Sequence, residues 1–322
     1  MPRLDWRPPT RADDAALLSL LVDIEEVDQR GAQLVQDELD DEWASVWASP
    51  GTDAVFVWEG GALVAFGWLK TQVGTRAQHK ISCWGGVAPS HRRLGIGRAL
   101  LARQVARARE VAATLDPSFP TCIEVDAAEH QRDLIGLATR VGFAAERRFL
   151  EVARPTGLPL AAAPAVEGLD LQAWSDAVDA PTRSAHVEAF ADHWGSVPST
   201  PESWQQWHTG HRAFRPDLSR VVVDRRSEAV VAFVLAAAYP TDWAHGPREA
   251  WIQDVGTRRA FRGRGAARWA LADVLRAVAA ASDGFERSIL GVDADNPTGA
   301  LQLYRALGFE EVRVSVRLVR RA

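Results

Sequence analysis

Two stretches of the chain place arginines and glycines where an anion could be held. Gly86 to Arg98 contains Arg92, Arg93, Gly95, Ile96, Gly97 and Arg98, and Gly256 to Arg268 contains Arg262, Gly263, Arg264, Gly265, Ala266, Ala267 and Arg268. In each, a strand-like run ending near Val87 or Thr257 enters the loop, and a long run of helical periodicity leaves it. A strand, a loop of the form Arg-x-x-Gly-x-Gly/Ala and a helix bring free backbone N–H groups and a positive helix end to one point. That is an anion site, with glycines for close approach and arginines suited to a pyrophosphate or a 3′-phosphate. A nucleotide-hydrolase loop needs Gly-Lys-Ser/Thr after four spacers, and neither stretch has it. A dinucleotide fingerprint needs Gly or Ala where Leu100 stands, and it opens its domain instead of following several strands.

The second stretch is followed by Val292-Asp293-Ala294-Asp295-Asn296-Pro297-Thr298-Gly299-Ala300-Leu301-Gln302-Leu303-Tyr304, closing on Leu307-Gly308-Phe309. With both loops, this segment resembles the GNAT superfamily of acyl-CoA-dependent N-acyltransferases. The main signature of that family is Arg/Gln-x-x-Gly-x-Gly/Ala at the start of the central helix. Its other signature element turns an Asn and a Tyr toward the cofactor thiol. The resemblance implies acetyl-CoA as cofactor, held by residues 262 to 268 with Val255, Gly256 and Thr257, and in the first stretch by Val87, Arg92, Arg93 and residues 95 to 98. Backbone groups of Val255 and Gly256 are expected to pair with the pantetheine arm.

The chemistry then falls to the second stretch. A tyrosine of ordinary pKa, about 10, is protonated at neutral pH and can donate to a departing thiolate of about 8.5. The resemblance puts Tyr304 in that role, with Asn296 beside it. Counted back from Gly142-Phe143, the first stretch has Ala138 where the second has Tyr304, and His130 where it has Asn296. The base is less plainly written. Many family members carry a Glu five residues before the position of Gly256, where this chain has Trp251; Asp254 and Glu249 are the nearest carboxylates, and either could act through water.

The elements that must position these groups come twice. At an offset of 170, Gly86–Arg98 aligns with Gly256–Arg268 without gaps; Leu63–Phe66 pairs with Val230–Phe233 at 167, and Val141–Phe143 with Leu307–Phe309 at 166. A period this long means two whole domains and not a solenoid. The expected class is α/β (α+β): two tandem GNAT-like domains, each a mixed, mostly antiparallel central sheet flanked by helices. Residues 1–154 form a degenerate, non-catalytic first domain, 155–166 a proline-interrupted linker, and 167–322 the catalytic domain. In the second half, Arg220–Asp224 and Ala229–Ala237 read as a hairpin, Trp251–Val255 as the next strand and Ala266–Ala281 as the central helix. Ser288–Asp293 follows as a strand, Thr298–Leu307 as a helix stopped by Gly308, and Glu311–Val319 as the last strand. The tandem arrangement is similar to that of mycothiol synthases and related actinobacterial acetyltransferases.

Composition narrows the partners. In 322 residues, 47% are hydrophobic and 25% charged, as in ordinary globular chains. A net charge of -5 argues against general affinity for nucleic acid. The apolar runs Ala229–Pro240 and Leu158–Val166 fall short of the roughly 20 residues of a membrane span. No basic end followed by an apolar core opens the chain, so the expected location is the cytoplasm. Cys83 and Cys122 lack the spacing of a zinc site and read as small buried hydrophobes. Only Lys70 and Lys80 of the 37 basic residues are lysines, a hint of a GC-rich bacterial genome.

The expected acceptor is a primary amine of a small molecule. The second half is rich in His and Trp where this fold covers its acceptor: His186, Phe190, His193, Trp194, Trp204, Trp207, His208 and His211. An aromatic pocket or plain core packing both fit, and no metal is expected, since no acidic or Cys partner stands at ligand spacing beside these histidines. The acidic run Asp23, Glu25, Glu26, Asp28, Asp37, Glu38, Asp40, Asp41 and Glu42 reads as a solvated helix surface or a lure for a cationic substrate. A competing reading is a CoA-binding regulatory or interaction module without turnover; the intact Asn296 and Tyr304 weigh against it. A monomer, as a pseudo-dimer of domains, and a homodimer are both compatible with the sequence.

Overall fold

The computed structural model describes residues 4–31, 34–73, 78–194, 196–244, 246–296 and 299–322. The chain divides into two compact units, residues 1–148 with 315–322, and residues 149–314. Elements from the first half are β1 (Asp5–Arg7), α1 (Asp14–Asp28), α2 (Gln36–Trp43), α3 (Pro50–Asp53), β2 (Ala54–Glu59), β3 (Ala62–Gln72), β4 (His79–Val87), α4 (Ile96–Ala112), β5 (Thr121–Ala128), α5 (Arg132–Arg140) and β6 (Ala144–Pro155). The second half contributes β7 (Leu169–Ala173), α6 (Asp179–Ala189), α7 (Pro201–Trp207), β8 (Arg220–Asp224), β9 (Val230–Ala238), β10 (Glu249–Thr257), α8 (Ala266–Ala280), β11 (Arg287–Asp293), α9 (Ala300–Ala306) and β12 (Glu310–Arg321). Thr298, expected to open the last helix, lies outside the described residues. Among those residues no helix is long and apolar enough to cross a membrane.

In the first unit the strands run β1-β2-β3-β4-β5, with every neighbouring pair antiparallel except β4 and β5. Its far edge is closed by Ser315–Arg321 of β12, antiparallel to β5. The second unit repeats the plan as β7-β8-β9-β10-β11, antiparallel except between β10 and β11, and is closed by Phe149–Pro155 of β6. The sequence-based boundary after residue 154 therefore falls inside β6, and the units divide at 148/149. The last strand of each half of the sequence completes the other unit's sheet. An alternating strand pattern fixes which side chains face a core but not which strand it will pair with.

Strand β9 shows why the sheet sits where it does. All nine of its residues are buried, as in a central strand covered on both faces. Alternate side chains leave a strand on opposite faces. Phe233 and Leu235 enter a core with Ala185 and Trp204 on the α6 and α7 side, while Ala232, Val234 and Ala236 enter one with Leu271, Val274 and Leu275 of α8. Helix α8 begins at Gly265, which caps it in a left-handed conformation (φ 88°) that costs glycine nothing. Gly95 caps α4 in the same way (φ 86°).

Candidate active site

In both units the two parallel strands start together and then part. Glu249–Trp251 of β10 pairs with Arg287–Ile289 of β11, and the register ends there. His79–Ser82 of β4 pairs with Thr121–Glu124 of β5 and ends likewise. Among the described residues the peptide groups on the parted edges have no ladder partner in that direction, and such groups need a partner from elsewhere. Of the two matching strands, β10 carries a bulge, between Ile252 and Asp254 against β9, whereas β4 pairs with β3 without a shift from Ala65 with Val87 to Gln72 with Lys80. A bulge re-aims the side chains around it. Here the inserted residue, Gln253, donates from Nε2 to the Trp207 carbonyl at 3.0 Å, and Asp254 follows it.

The Gly/Arg loops close the mouths of these splits, and their arginines divide by task. Arg262 is turned inward: its Nε donates to the Thr257 carbonyl at 3.3 Å, NH2 to Ala189 O at 2.9 Å and NH1 to Asp192 at 3.2 Å. Arg92 repeats the first of these bonds on Val87 O at 3.1 Å. Both arginines brace the loop against the preceding strand and the first helix. Arg264, stacked over Phe261 at 5.2 Å, and Arg268 in the first turn of α8 are exposed. Among the described residues no ion pair engages either, so these two carry the free charge beside the N–H groups of Ala266, Ala267 and Arg268. A Cβ built on Gly263 meets nothing within 4 Å, and one on Gly265 only Val166 at 4.0 Å. An open, positively ended loop on a 15-residue helix, next to an unpaired strand edge, fits an extended pyrophosphate–pantetheine chain.

At the bulge, Asp254 meets two imidazoles. His208, at the C-cap of α7, has Nδ1 2.9 Å from Asp254 Oδ2; His186 of α6 has Nε2 3.4 Å from Oδ1. Both rings lie flat on aromatic faces, His208 on Trp204 (4.5 Å, 20°) and His186 on Phe190 (4.4 Å, 21°). Burial alone would raise the Asp254 carboxyl, but the two histidines outweigh it and hold the group well below the usual carboxylate range. Tyr304 of α9 is buried, with its ring 6.0 Å from Phe309. Burial, and then the charge of Asp254, push its hydroxyl well above the ordinary tyrosine value. Among the described residues that hydroxyl has no hydrogen-bond partner.

The sequence offered no acidic partner for the histidines; the fold supplies Asp254 from a strand 46 residues beyond His208. One ligand atom from each of His186, His208 and Asp254 lies within 4.8 Å of the others, so the set has the spacing of a divalent-ion site. Glu249, the other candidate carboxylate, is not brought there. It stands at the start of β10, about 17 Å of strand away, with Oε1 2.7 Å from Arg287 Nε. Asn296 follows β11, its amide N–H bonded to the Asp293 carbonyl at 3.1 Å. His211 stacks on Trp207 at 6.3 Å and lies 6.2 Å from Tyr239, apart from the Asp254 cluster.

The first unit fills the same places differently. Trp84 stands opposite Trp68, where the second unit sets Asp254 opposite Leu235, and its ring packs on Phe66 at 4.9 Å. Ala138 is fully buried in place of Tyr304. Asp28, at the end of α1, bonds to Arg92 NH1 at 2.7 Å and accepts from Gln131 Nε2 at 2.9 Å, while its carbonyl meets His130 Nε2 at 2.7 Å. One residue thus ties the loop after β4 to the segment after β5. Arg93 is taken up by Asp133 at 2.7 Å.

The sequence model described as the acetyltransferase (GNAT) family matches residues 18–143 and again 181–309. A mycothiol acetyltransferase from Brachybacterium faecium is 34% identical over 236 residues, which are 70% of this chain and 64% of that protein, somewhat less than two thirds of its length. Among solved structures, a GCN5-related N-acetyltransferase from Sphaerobacter thermophilus superimposes with a TM-score of 0.76 at 24% identity, covering 99% of this chain and 95% of that one. A tandem GNAT protein from the clavulanic acid biosynthesis pathway gives 0.72 at 17%, covering 99% and 98%. At these identities the structural likeness speaks to the fold.

Proposed function

Because the chain belongs to the GNAT acetyltransferase family, we propose that it is an acetyl-CoA-dependent N-acetyltransferase acting on a primary amine of a small molecule, with its chemistry confined to the second unit. The observation that carries this reading is the asymmetry at matching positions: Asp254 on a bulged strand and Tyr304 in the second unit, Trp84 on an unbulged strand and Ala138 in the first. Mycothiol-type synthesis is one candidate activity, after the name of the relative.

Bound acetyl-CoA would supply a thioester, hence an activated acetyl carbon and a thiolate leaving group. The N–H groups at the start of α8, with Arg264 and Arg268, hold the pyrophosphate. The unpaired edge of β10 around Val255 and Gly256 aligns the pantetheine arm and polarises the carbonyl, so that much of the rate comes from positioning and fixed dipoles. The raised pKa of Tyr304 keeps its hydroxyl protonated at neutral pH, so that it has a proton to give and is no base. A free phenolate beside Asp254 is disfavoured, so the proton Tyr304 gives to sulfur is replaced from the nitrogen that has just bonded to the acetyl carbon. Direct attack in a ternary complex requires no side-chain nucleophile.

The test is release of CoA from acetyl-CoA, followed with a thiol reagent, in the presence of glucosamine, an aminoglycoside, spermidine and a tetrapeptide in turn. Amine-dependent release with an acetylated product by mass supports the reading. Tight acetyl-CoA binding without release with any amine would favour a binding module instead.

A further inference from the structure

We propose that His208 is the group that takes the proton from the incoming ammonium, with Asp254 as the residue that positions it. This rests on the acetyltransferase reading above and assigns the base which that reading leaves open.

The argument is one of tautomers and exposure. With Nδ1 2.9 Å from a buried carboxylate, His208 carries a hydrogen on Nδ1, so that the neutral ring has its lone pair on Nε2. Among the described residues Nε2 has no hydrogen-bond partner. The arrangement is the one by which a buried carboxylate holds an imidazole ready to accept a proton at its far nitrogen and stabilises the cation that results. His186 does not offer this. Its Nε2 is the atom nearest Asp254, and its Nδ1 is buried without a partner, so it has neither an acceptor for a second hydrogen nor a path to substrate. Asp254 is itself a poor acceptor: it is buried, both oxygens face imidazoles, and its carboxyl lies well below the usual range.

The surroundings agree. Trp204 lies flat under His208, and an aromatic face favours the cationic ring. Trp204 is itself fixed by its Nε1 donating to Asp179 Oδ1 at 2.7 Å, and Thr209 Oγ1 donates to the same oxygen at 2.7 Å, pinning the backbone next to His208. The titratable groups facing the cluster are His186 from α6, Asp254 from β10 and Tyr304 from α9. In the step itself, an N–H bond of the ammonium breaks, its electron pair stays on nitrogen as the nucleophile, and the proton passes to His208 Nε2. The imidazolium returns to neutral by releasing that proton to solvent.

The experiment uses the full chain, acetyl-CoA and whichever of the four amines the wild type acetylates. His208→Ala should lower kcat by about 100-fold or more while calorimetric binding of acetyl-CoA stays intact, and imidazole added to the buffer should restore rate in proportion to its concentration. Asp254→Asn should lower kcat without imidazole rescue, because the resident imidazole remains but is no longer oriented. Retention of near-wild-type kcat by His208→Ala overturns the proposal, as does failure of imidazole to rescue a variant that still binds acetyl-CoA. A wild-type activity removed by a chelator and restored by zinc overturns it in favour of a metal at the same three residues. Wild type that binds acetyl-CoA but acetylates none of the four amines overturns the acetyltransferase reading itself, and this is seen before any variant is made.

Discussion

Phe233 stands directly opposite Gly256 across the β9–β10 ladder, and a Cβ on that glycine would lie 2.2 Å from the aromatic ring. The ring is fully buried and cannot withdraw, so the strand that carries Asp254 and Val255 keeps its course only with glycine at 256. Gly256→Ala is expected to cost about 1–3 kcal/mol in a urea melt and to abolish turnover by displacing the β10 edge. The matching change in the first unit, Gly86→Ala, meets the flexible end of Ile24 at 2.6 Å and the Phe66 ring at 3.2 Å. It should be milder in stability, and the comparison of the two melts checks the argument.

Tyr304→Phe removes a hydroxyl without a hydrogen-bond partner among the described residues and leaves the ring packed in the core with Phe309. The melting temperature and acetyl-CoA binding should therefore stay near wild type while kcat falls by about 10² to 10³. A parallel loss of stability in the thermal melt would show that the tyrosine is chiefly structural.

Both loops could be read directly, because a turn requiring glycine between a strand and a helix is a local pattern. So could the hairpin of β8 and β9, expected to begin at Ala229 and found from Val230. The crossed closing strands could not: the residue pattern of β6 and β12 names no partner, and partner choice lies in packing far along the chain. Nor could the site's polar core. Asp254 was one of two candidate carboxylates, and nothing near it in sequence distinguishes it from Glu249. The bulge that aims it comes from a one-residue mismatch between β9 and β10. Its partners His186 and His208 sit on two helices whose His and Trp content fits a core as well as a site.

Both cysteines should be silent in a native thiol assay. Cys122 is buried as expected and Cys83 only half-buried; desolvation pushes the Cys83 thiol up to about 12 and raises Cys122 as well despite the neighbouring Arg321. The thiolate is the reactive form. At pH 8 the folded protein should consume no thiol reagent, and both groups should titrate in urea. Rapid native labelling of either residue would contradict their placement.

Asp13 provides a pH test of the first unit. Its carboxylate receives Arg7 through two bonds of 2.7 and 2.9 Å and the Thr10 N–H at 2.7 Å, and these hold it at about 2 against an ordinary 3.8. A folded value below the unfolded one adds stability that is fully present above about 3.8 and is lost as pH falls through about 2. Arg7 is partly exposed, so solvent screening leaves about 1–2 kcal/mol. Asp13→Asn should lower the urea midpoint at pH 7, and the gap to wild type should narrow between pH 4 and pH 2.5. A gap independent of pH would mean that the charge of Asp13 contributes nothing.

The Asp28 tie predicts the stoichiometry of CoA. In the second unit, Asp192, three residues past the end of α6, engages Arg259 and Arg262, both on the loop side of the split. Asp28 instead reaches both sides, to Arg92 on the loop after β4 and to Gln131 after β5, and His130 adds a third bond from that second side. An extended ligand entering between β4 and β5 would have to break these contacts, and the bond to a charged partner alone contributes about 1.5–3 kcal/mol. Calorimetry should therefore find one equivalent of acetyl-CoA bound to wild type. Ala267→Glu should abolish that event, since a carboxylate at the start of α8 repels the pyrophosphate, and Gly97→Glu should leave it in place. Asp28→Ala should then reveal a second, weaker equivalent that Gly97→Glu removes. Two equivalents in the wild type would mean that the tie opens readily and that the first unit keeps a cofactor pocket of its own.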